Sequence, residues 1–445
     1  MQHVVQQADA VHQQINSITA LLEQFNARRA GLLREASRRD SEFLHPQSKP
    51  CTLVSESPQN PWSRSGLPIA RLPTEVLDLV ISCLNRNDLA RVASSHKTLY
   101  PIASRIMYNN ITINVSLQSM RCMKTLIKHP HLASLVRLFT IQWPSLSTPT
   151  RNLHQLAQDT LHALTAITSL SVDVGNDFPP WNLQNCTFTL SSLNTSFRFE
   201  QILVQFLESQ PCITELTLRG FNSDPSQFSF SATTFNLNPR DITASLTLKP
   251  TALPLLSKVS AIHAGPNIMG TIIKGRPVKS VVMPLYADCS SKSLDAIASS
   301  SSPIERLNIM SFDPNAANYL LTEIAKRFKD LEALAIVLLL AECSEQALEA
   351  AASSLSNFSR LRYITFMSAS PRARISDNVE KRIAKSWHAH CPTLKTIILP
   401  MGNVLYFENS TFESLSDIPA LLLPVQYRYL TPRIPDYFSY GYMLY

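Results

Sequence analysis

The stretch Ile304-Glu305-Arg306-Leu307-Asn308-Ile309, or IERLNI, carries apolar residues at its first, fourth and sixth positions. The alternation over its last three residues is typical of a short β-strand with one buried face. The same six-residue arrangement occurs nine times, with its middle apolar residue at Phe139, Leu170, Leu216, Val259, Val281, Leu307, Leu334, Ile364 and Ile397. A strand that recurs in this way predicts a repeat protein.

The spacing of these strands indicates what lies between them. The last five steps are 22, 26, 27, 30 and 33 residues, and the two long steps of 46 and 43 contain extra candidate strands at Phe188–Leu190 and Leu246–Leu248. Helical patterns fall between strands at 199–210, 316–328, 344–358 and 378–390. One strand and one helix per unit is the pattern of leucine-rich repeats, whose units stack to complete a shared core. We therefore expect residues 114–400 to form an α/β solenoid, a horseshoe of degenerate repeats.

Residues 67–113 are predicted to form three short helices. The first lies in the stretch LPTEVLDLVISCL (72–84), where Pro73 suits the first helical turn. Asn85 can cap the second helix, because an acid follows three residues later. The third helix is expected after Pro101.

The first of these helices is apolar on two sides. Val76, Val80 and Leu84 form one stripe, and Leu77 and Ile81 form a second beside it. Three short helices in about 45 residues cannot bury both stripes among themselves. One stripe is therefore expected to face another protein or the domain that follows.

The segment 72–113 resembles the F-box motif. It opens with Leu-Pro, continues with Glu-Val-Leu, starts its second helix with Asp-Leu, and has Tyr108 where the motif usually closes on an aromatic residue. Many F-boxes carry Cys and Trp after the second helix, and this chain does not. The segment LYPIASRIMY at 99–108 is similar to sequences of the fungal, basidiomycete-like branch of the family.

The resemblance implies the substrate-recognition subunit of a Skp–cullin–F-box ubiquitin ligase. Such a receptor is not an enzyme and has no cofactor. It binds a Skp-type adaptor, and through it cullin, and raises the local concentration of a protein substrate near the transferring enzyme. The implied adaptor-binding residues are Leu72, Pro73, Val76, Leu77, Val80, Ile81, Leu84, Asp88 and Leu89. An alternative is a leucine-rich-repeat scaffold without a ubiquitin role, whose F-box-like segment is only an N-terminal cap.

The intervening positions of the six-residue pattern point away from the core, so they are available for contact. In the later repeats we expect Arg306, Asn308, Arg362, Tyr363 and Lys395 to bind substrate, since Arg and Tyr are enriched at binding hot spots. The alternative is an ordinary solvated sheet face.

Three further segments complete the predicted organisation. In residues 1–40, nine positions between 4 and 32 follow one another at alternating steps of four and three, and all but Arg29 are apolar. This pattern predicts a coiled-coil or docked amphipathic helix, and a homodimer or helical partner in the first case. Residues 41–66 are rich in proline and serine and predict a flexible linker. Residues 401–445 are rich in aromatic residues and predict a cap for the last repeat.

Composition and motifs argue against other functions. The sequence has neither a nucleotide-binding glycine-rich motif nor a hydrolase or zinc-protease motif. The formal charge of +7 raises a nucleic-acid-binding repeat protein as a third class, but the charge is spread over 445 residues, so nucleic-acid binding is not expected. His388, His390 and Cys391 are close in sequence, but helical spacing puts the histidines on different faces, so no metal is expected.

The chain also shows no sign of export. It lacks a signal-peptide pattern, and its longest apolar run, 334–341, is too short for a bilayer, so no membrane partner is expected. Eight scattered cysteines without a regular framework predict a reduced, intracellular protein of the cytoplasm, the nucleus or both.

Overall fold

The computed structural model describes residues 73–143, 151–174, 183, 186–220, 246–262, 264–368, 376–400, 403–408 and 411–414. All of them belong to one unit that runs from Gly66 to Asp417. They form twelve α-helices and a sheet of 13 strands, so the fold class is α/β, as the sequence predicts. The predicted helix at 1–40, the linker at 41–66, Leu72 and most of the tail at 401–445 lie outside the described residues.

The described chain begins with three helices, α1 (Thr74–Ser82), α2 (Arg86–Ser95) and α3 (Leu99–Asn109). The Asn85 side chain caps α2 by accepting a hydrogen bond from the Asp88 backbone N–H at 3.0 Å. Helix α3 starts two residues before Pro101, earlier than predicted, because a proline in the first turn removes no intrahelical hydrogen bond.

These helices have their own small core. Its buried residues are Leu77, Ile81, Leu89, Leu99, Ile102 and Ala103, with Leu84, Val92, Ala93, Ile106 and Met107 partly buried around them. An ion pair between Asp78 and Arg105 joins α1 to α3. The predicted three-helix unit is therefore present, with one apolar side of α1 turned inward.

The remaining elements alternate between strand and helix. The strands are β1 (Asn110–Ile113), β2 (Leu138–Gln142), β3 (Ser169–Asp173), β4 (Ser192–Thr195), β5 (Glu215–Leu218), β6 (Lys258–Ala261), β7 (Ser280–Leu285), β8 (Arg306–Ser311), β9 (Ala333–Leu338), β10 (Tyr363–Ser368), β11 (Thr396–Ile398), β12 (Val404–Glu408) and β13 (Thr411–Ser414). The helices are α4 (Leu117–Lys128), α5 (Pro130–Ala133), α6 (Arg151–Ala163), α7 (Gln201–Glu208), α8 (Pro266–Ile273), α9 (Ser290–Ala298), α10 (Ala316–Arg327), α11 (Glu345–Leu355) and α12 (Asp377–His390).

The strands lie in the sheet in the order in which they occur in the chain. Strands β1 to β11 are parallel, and β12 and β13 continue the sheet in antiparallel pairing. The middle apolar residues of β1 to β11 face one another in a single register, and none is more than 3% exposed. Strands lie at all nine predicted positions.

Two predicted strands are wrong. Neither 188–190 nor 246–248 is a strand, and β5 pairs directly with β6. Strand β4, at 192–195, instead divides the 46-residue step into two of 23. The sheet also begins at Asn110, inside the segment assigned to the three helices, and it extends to Ser414, inside the predicted tail.

Strand β4 does not match the six-residue apolar pattern, because the third inward position is a threonine, Thr195. Thr195 is 0% exposed, and its hydroxyl accepts a hydrogen bond from the Phe197 backbone N–H at 3.0 Å. The buried hydroxyl is therefore satisfied and takes the place of an apolar side chain.

Four turns that enter strands share one hydrogen bond. The hydroxyls of Thr168, Ser191, Thr214 and Ser257 each donate to the backbone carbonyl at the equivalent position of the preceding unit, at 3.3, 3.0, 3.1 and 3.1 Å. This Ser/Thr ladder stabilises the stacking of β3 to β6 on their predecessors.

The sheet has one buried face and one partly exposed face. In β8, Leu307, Ile309 and Ser311 are buried, whereas the alternating residues from Arg306 to Met310 are half-buried or exposed. Successive helices pack against one another from α8 to α12. We call the second face, which includes Arg306 and Met310, the open sheet face.

Candidate functional site

Helix α1 presents an apolar face to solvent. Val76, Leu79 and Val80 are 42%, 70% and 55% exposed, and Cys83, just past the helix, is also exposed. Their spacing of three, four and seven residues from Val76 places them on one side of the helix. We call these four residues the docking face.

The predicted adaptor-binding residues differ in their exposure to solvent. Pro73, Val76 and Val80 are exposed, Leu84 and Asp88 are half-buried, and Leu77, Ile81 and Leu89 are buried in the small core. The eight of them that the structure describes therefore do not form one surface, because the buried ones support the helix that carries the exposed ones.

The exposed side of α1 differs from the predicted stripe of Val76, Val80 and Leu84 at three residues. Helix α1 ends at Ser82, so helical spacing does not extend to Leu84, which instead packs against the small core. Leu79 and Cys83 take its place on the docking face. Helical spacing in the sequence is sufficient to place both on this face, because Leu79 lies three residues after Val76 and Cys83 lies three residues after Val80.

The three-helix unit that carries the docking face joins the sheet directly. Helix α3 runs directly into β1 without an intervening loop, and the Arg86 side chain donates a hydrogen bond to the Asn110 carbonyl. Tyr108, at the end of α3, packs against the main hydrophobic core, which includes the buried face of the sheet, and burial raises the pKa of its hydroxyl. The three helices and the sheet therefore meet without a linker.

The second surface lies on the open sheet face at β8 to β11. Arg306 and Tyr363 are exposed, Asn308 is half-buried, and Arg362 and Lys395 are exposed immediately before β10 and β11. The structure thus places Arg306, Asn308 and Tyr363 on the open sheet face, and Arg362 and Lys395 in the turns that enter β10 and β11.

Charges on this stretch are only partly balanced. Glu305 pairs with Lys279 at 2.9 Å, and Glu332 pairs with Arg360 at 2.9 Å. Arg306, Arg362 and Lys395 have no carboxylate partner among the described residues. The surface therefore has a surplus of positive charge.

The sequence also missed an apolar row further along these strands. Met310, Val337 and Met367 are half-buried on the open sheet face and lie opposite one another in β8, β9 and β10. Each of them follows the last residue of the six-residue pattern, so the pattern does not include them.

The histidines near the end of α12 and the buried cysteine Cys343 make contacts that are typical of structural residues. The Nδ1 atoms of His388 and His390 lie 3.1 Å and 2.9 Å from the backbone carbonyls of Leu394 and Ser386. In the described ranges, no group of three or more His, Cys, Asp or Glu residues is placed to hold a metal. Burial raises the pKa of the Cys343 thiol to about 12, so this thiol stays protonated at neutral pH.

None of the helices in the described part of the chain is both long enough and apolar enough to span a bilayer.

No model of a known protein family matches the chain, and no curated protein matches it at a significant level. The two surfaces described above are therefore the basis for a functional proposal.

Proposed function

We propose that this protein is the substrate-recognition subunit of a Skp–cullin–F-box ubiquitin ligase. In this role the docking face binds a Skp-type adaptor, and the open sheet face binds a protein substrate. The observation that carries the proposal is the two-sided apolar surface of α1, which buries Leu77 and Ile81 and exposes Val76, Leu79 and Val80.

The docking face is large enough to provide affinity. Fully burying an exposed Val or Leu side chain contributes about 1.5 to 3 kcal/mol. Because Val76, Leu79 and Val80 are 42% to 70% exposed, burying their remaining surface supplies roughly 3 to 5 kcal/mol before the cost of association. A few clustered apolar anchors typically carry most of an interface's binding energy. A partner with a matching apolar groove would remove Leu79, which is 70% exposed, from water.

The absence of a linker between α3 and β1 supports the same role. A receptor of this kind accelerates transfer only by holding its substrate near the transferring enzyme, and a rigid connection raises the effective concentration more than a flexible one. The F-box-like sequence of residues 72–113 suggests a Skp-type protein as the adaptor. The strand-and-helix units resemble degenerate leucine-rich repeats in a solenoid.

The scaffold alternative has one observation in its favour. Helix α3 leads directly into β1, as expected of a cap that covers the first strand of a repeat sheet. However, Val76, Leu79 and Val80 of α1 remain exposed instead of covering that strand. A cap explains the position of α3 and leaves the docking face unexplained.

Co-purification tests the proposal. We expect a tagged full-length chain to retain a co-expressed Skp-type adaptor through gel filtration, and to lose it when Leu72 and Pro73 are both changed to Ala or when Leu79 is changed to Asp. The matched control is Leu117→Asp at the start of α4, where another leucine is 60% exposed. Retention of the adaptor by both docking variants, or failure of the unmodified chain to bind it, would favour the scaffold.

A further inference from the structure

Strand β9 is flanked on the open sheet face by larger side chains. Its residues there are Ala333, Ala335 and Val337. The register places three pairs of neighbours across it, namely Arg306 with Tyr363, Asn308 with Thr365, and Met310 with Met367. Ala333 and Ala335 lie between two rows of larger side chains and leave a trough along β9 that ends at Val337, and we call it the β9 trough.

The dimensions of the trough fit one extended polypeptide. Adjacent strands are about 4.8 Å apart, so β8 and β10 are about 10 Å apart, and a six-residue strand is about 20 Å long. An α-helix with its side chains is about 10 to 12 Å wide, too wide to reach the alanines between those rows. An extended chain can approach them closely.

The two ends of the trough differ in chemistry. Arg306 and Tyr363 flank its amino end, and Arg362 is adjacent to Tyr363. Because the nearby carboxylates of Glu305 and Glu332 already pair with Lys279 and Arg360, they do not neutralise the two arginines.

The carboxyl end is apolar. Met310, Val337 and Met367 form its floor and walls, and Leu340, which is 45% exposed, lies two residues beyond β9. Methionine side chains adapt to different apolar partners. A nucleic-acid backbone would require cationic groups along the whole path, and this half of the trough has none.

We propose that the β9 trough binds an extended segment of about six residues from a partner protein, a length that follows from the strand rise. The segment has carboxylate side chains at one end, which pair with Arg306 and Arg362, and apolar side chains at the other, which pack on Met310, Val337 and Met367. The inference rests on the proposed use of the open sheet face for protein substrates and is independent of adaptor binding.

Selection from a display library of random nine-residue peptides on the full-length chain tests this chemistry. We expect enriched peptides to carry two or more Asp or Glu residues next to two or more apolar residues. The strongest peptide, synthesised with a fluorescent label, should bind in anisotropy titrations, and its Kd should rise as salt screens the pairs with arginine. Enrichment of peptides without acids, or no enrichment, contradicts the proposal.

Two variants locate the peptide. Arg306→Glu combined with Arg362→Glu should raise the Kd at least tenfold, and Ala335→Phe, which fills the middle of the trough, should do the same. Their controls are Lys292→Glu and Ala350→Phe at exposed helical positions, which should leave the Kd within twofold. Unchanged binding by Ala335→Phe places the peptide elsewhere and overturns the proposal, as does binding only after the carboxylates are replaced by phosphoserines.

Adaptor co-purification of the same variants separates this inference from the proposed function. Loss of the peptide with retention of the adaptor supports both. A chain that binds the peptide through the trough but never binds the adaptor keeps the inference and removes the ubiquitin role. A chain that binds the adaptor but selects no acidic peptide keeps the role and removes the inference.

Discussion

Leu77 and Leu79, two residues apart on α1, lie on opposite sides of the helix: Leu77 is 6% exposed and Leu79 is 70% exposed. Leu77 packs with Ile81 and Ile102 in the small core. Leu79 shares the docking face with Val76 and Val80. One short helix thus both completes the three-helix unit and presents an apolar surface to a partner.

The two leucines should respond differently to the same substitution. Leu77→Ala should destabilise the protein by roughly 2 to 5 kcal/mol, because it leaves a cavity in a small core. Leu79→Ala should change stability by less than about 0.5 kcal/mol, because its side chain is exposed. Hydrogen exchange of the amides in 74–109 measures both effects. Equal loss of protection in the two variants would mean that Leu79 is part of the core.

Cysteine alkylation should report on the docking face. Cys83 and Cys212 are exposed, whereas Cys289, Cys343 and Cys391 are buried. We expect iodoacetamide to modify the first two in the native protein and the buried three only after unfolding. Addition of the Skp-type adaptor should slow modification of Cys83 and leave Cys212 unaffected, as measured by mass spectrometry. Equal protection of both cysteines would place the adaptor elsewhere.

Arg276 should be a large contributor to stability. It is 3% exposed, and its guanidinium donates to the backbone carbonyls of Ala252, Thr271, Ile272 and Lys249 at 2.8 to 3.1 Å. These bonds join the end of α8 to the 249–252 turn. Arg276→Met should cost about 3 kcal/mol or more, since several buried carbonyls lose a charged donor.

Arg276→Lys should recover only part of that loss, because an ammonium cannot reproduce the planar arrangement of guanidinium donors. Urea denaturation of the two variants and of Arg360→Met provides the comparison, since Arg360 forms a single ion pair at the surface. A loss for Arg276→Met no larger than for Arg360→Met would contradict this role.

His154 should make stability depend on pH in a defined direction. Its ring packs edge-on against Trp143 at 5.3 Å between centroids, and burial lowers its pKa below the ordinary value of 6.5. The unfolded chain therefore binds the proton first as pH falls, so stability is complete above about 6.5 and decreases below it. The free energy of unfolding at pH 8 and pH 5.5 should differ less in His154→Leu than in the unmodified chain. An identical difference would show that the shift has no effect on folding.

The sequence predicts the repeated part of this fold well where inward positions are apolar. The strands β8 to β11 and the helices α10 to α12 lie within two or three residues of their predicted positions, because Leu307, Leu334, Ile364 and Ile397 mark the buried row. Strand β4 was missed because Thr195 occupies an inward position. A pattern of apolar residues does not include a hydroxyl that is satisfied by the local backbone.

The interaction surfaces were only partly predictable. The two-sided character of α1 follows from composition, but which residues face outward depends on where the helix ends, and Leu84 lies beyond that end. The β9 trough depends on the cross-strand register that places Ala335 between Asn308 and Thr365. The spacing of residues along the chain does not determine which residues lie opposite one another in neighbouring strands.

Titration calorimetry of purified Skp-type adaptor into the full-length chain tests the central claim most directly. We expect one adaptor per chain, a negative heat-capacity change from apolar burial, and at least a hundredfold weaker binding by the Leu79→Asp and Val80→Asp variant, while Leu117→Asp binds as the unmodified chain does. No measurable heat with the unmodified chain, or equal affinity for the docking variant, would contradict the account.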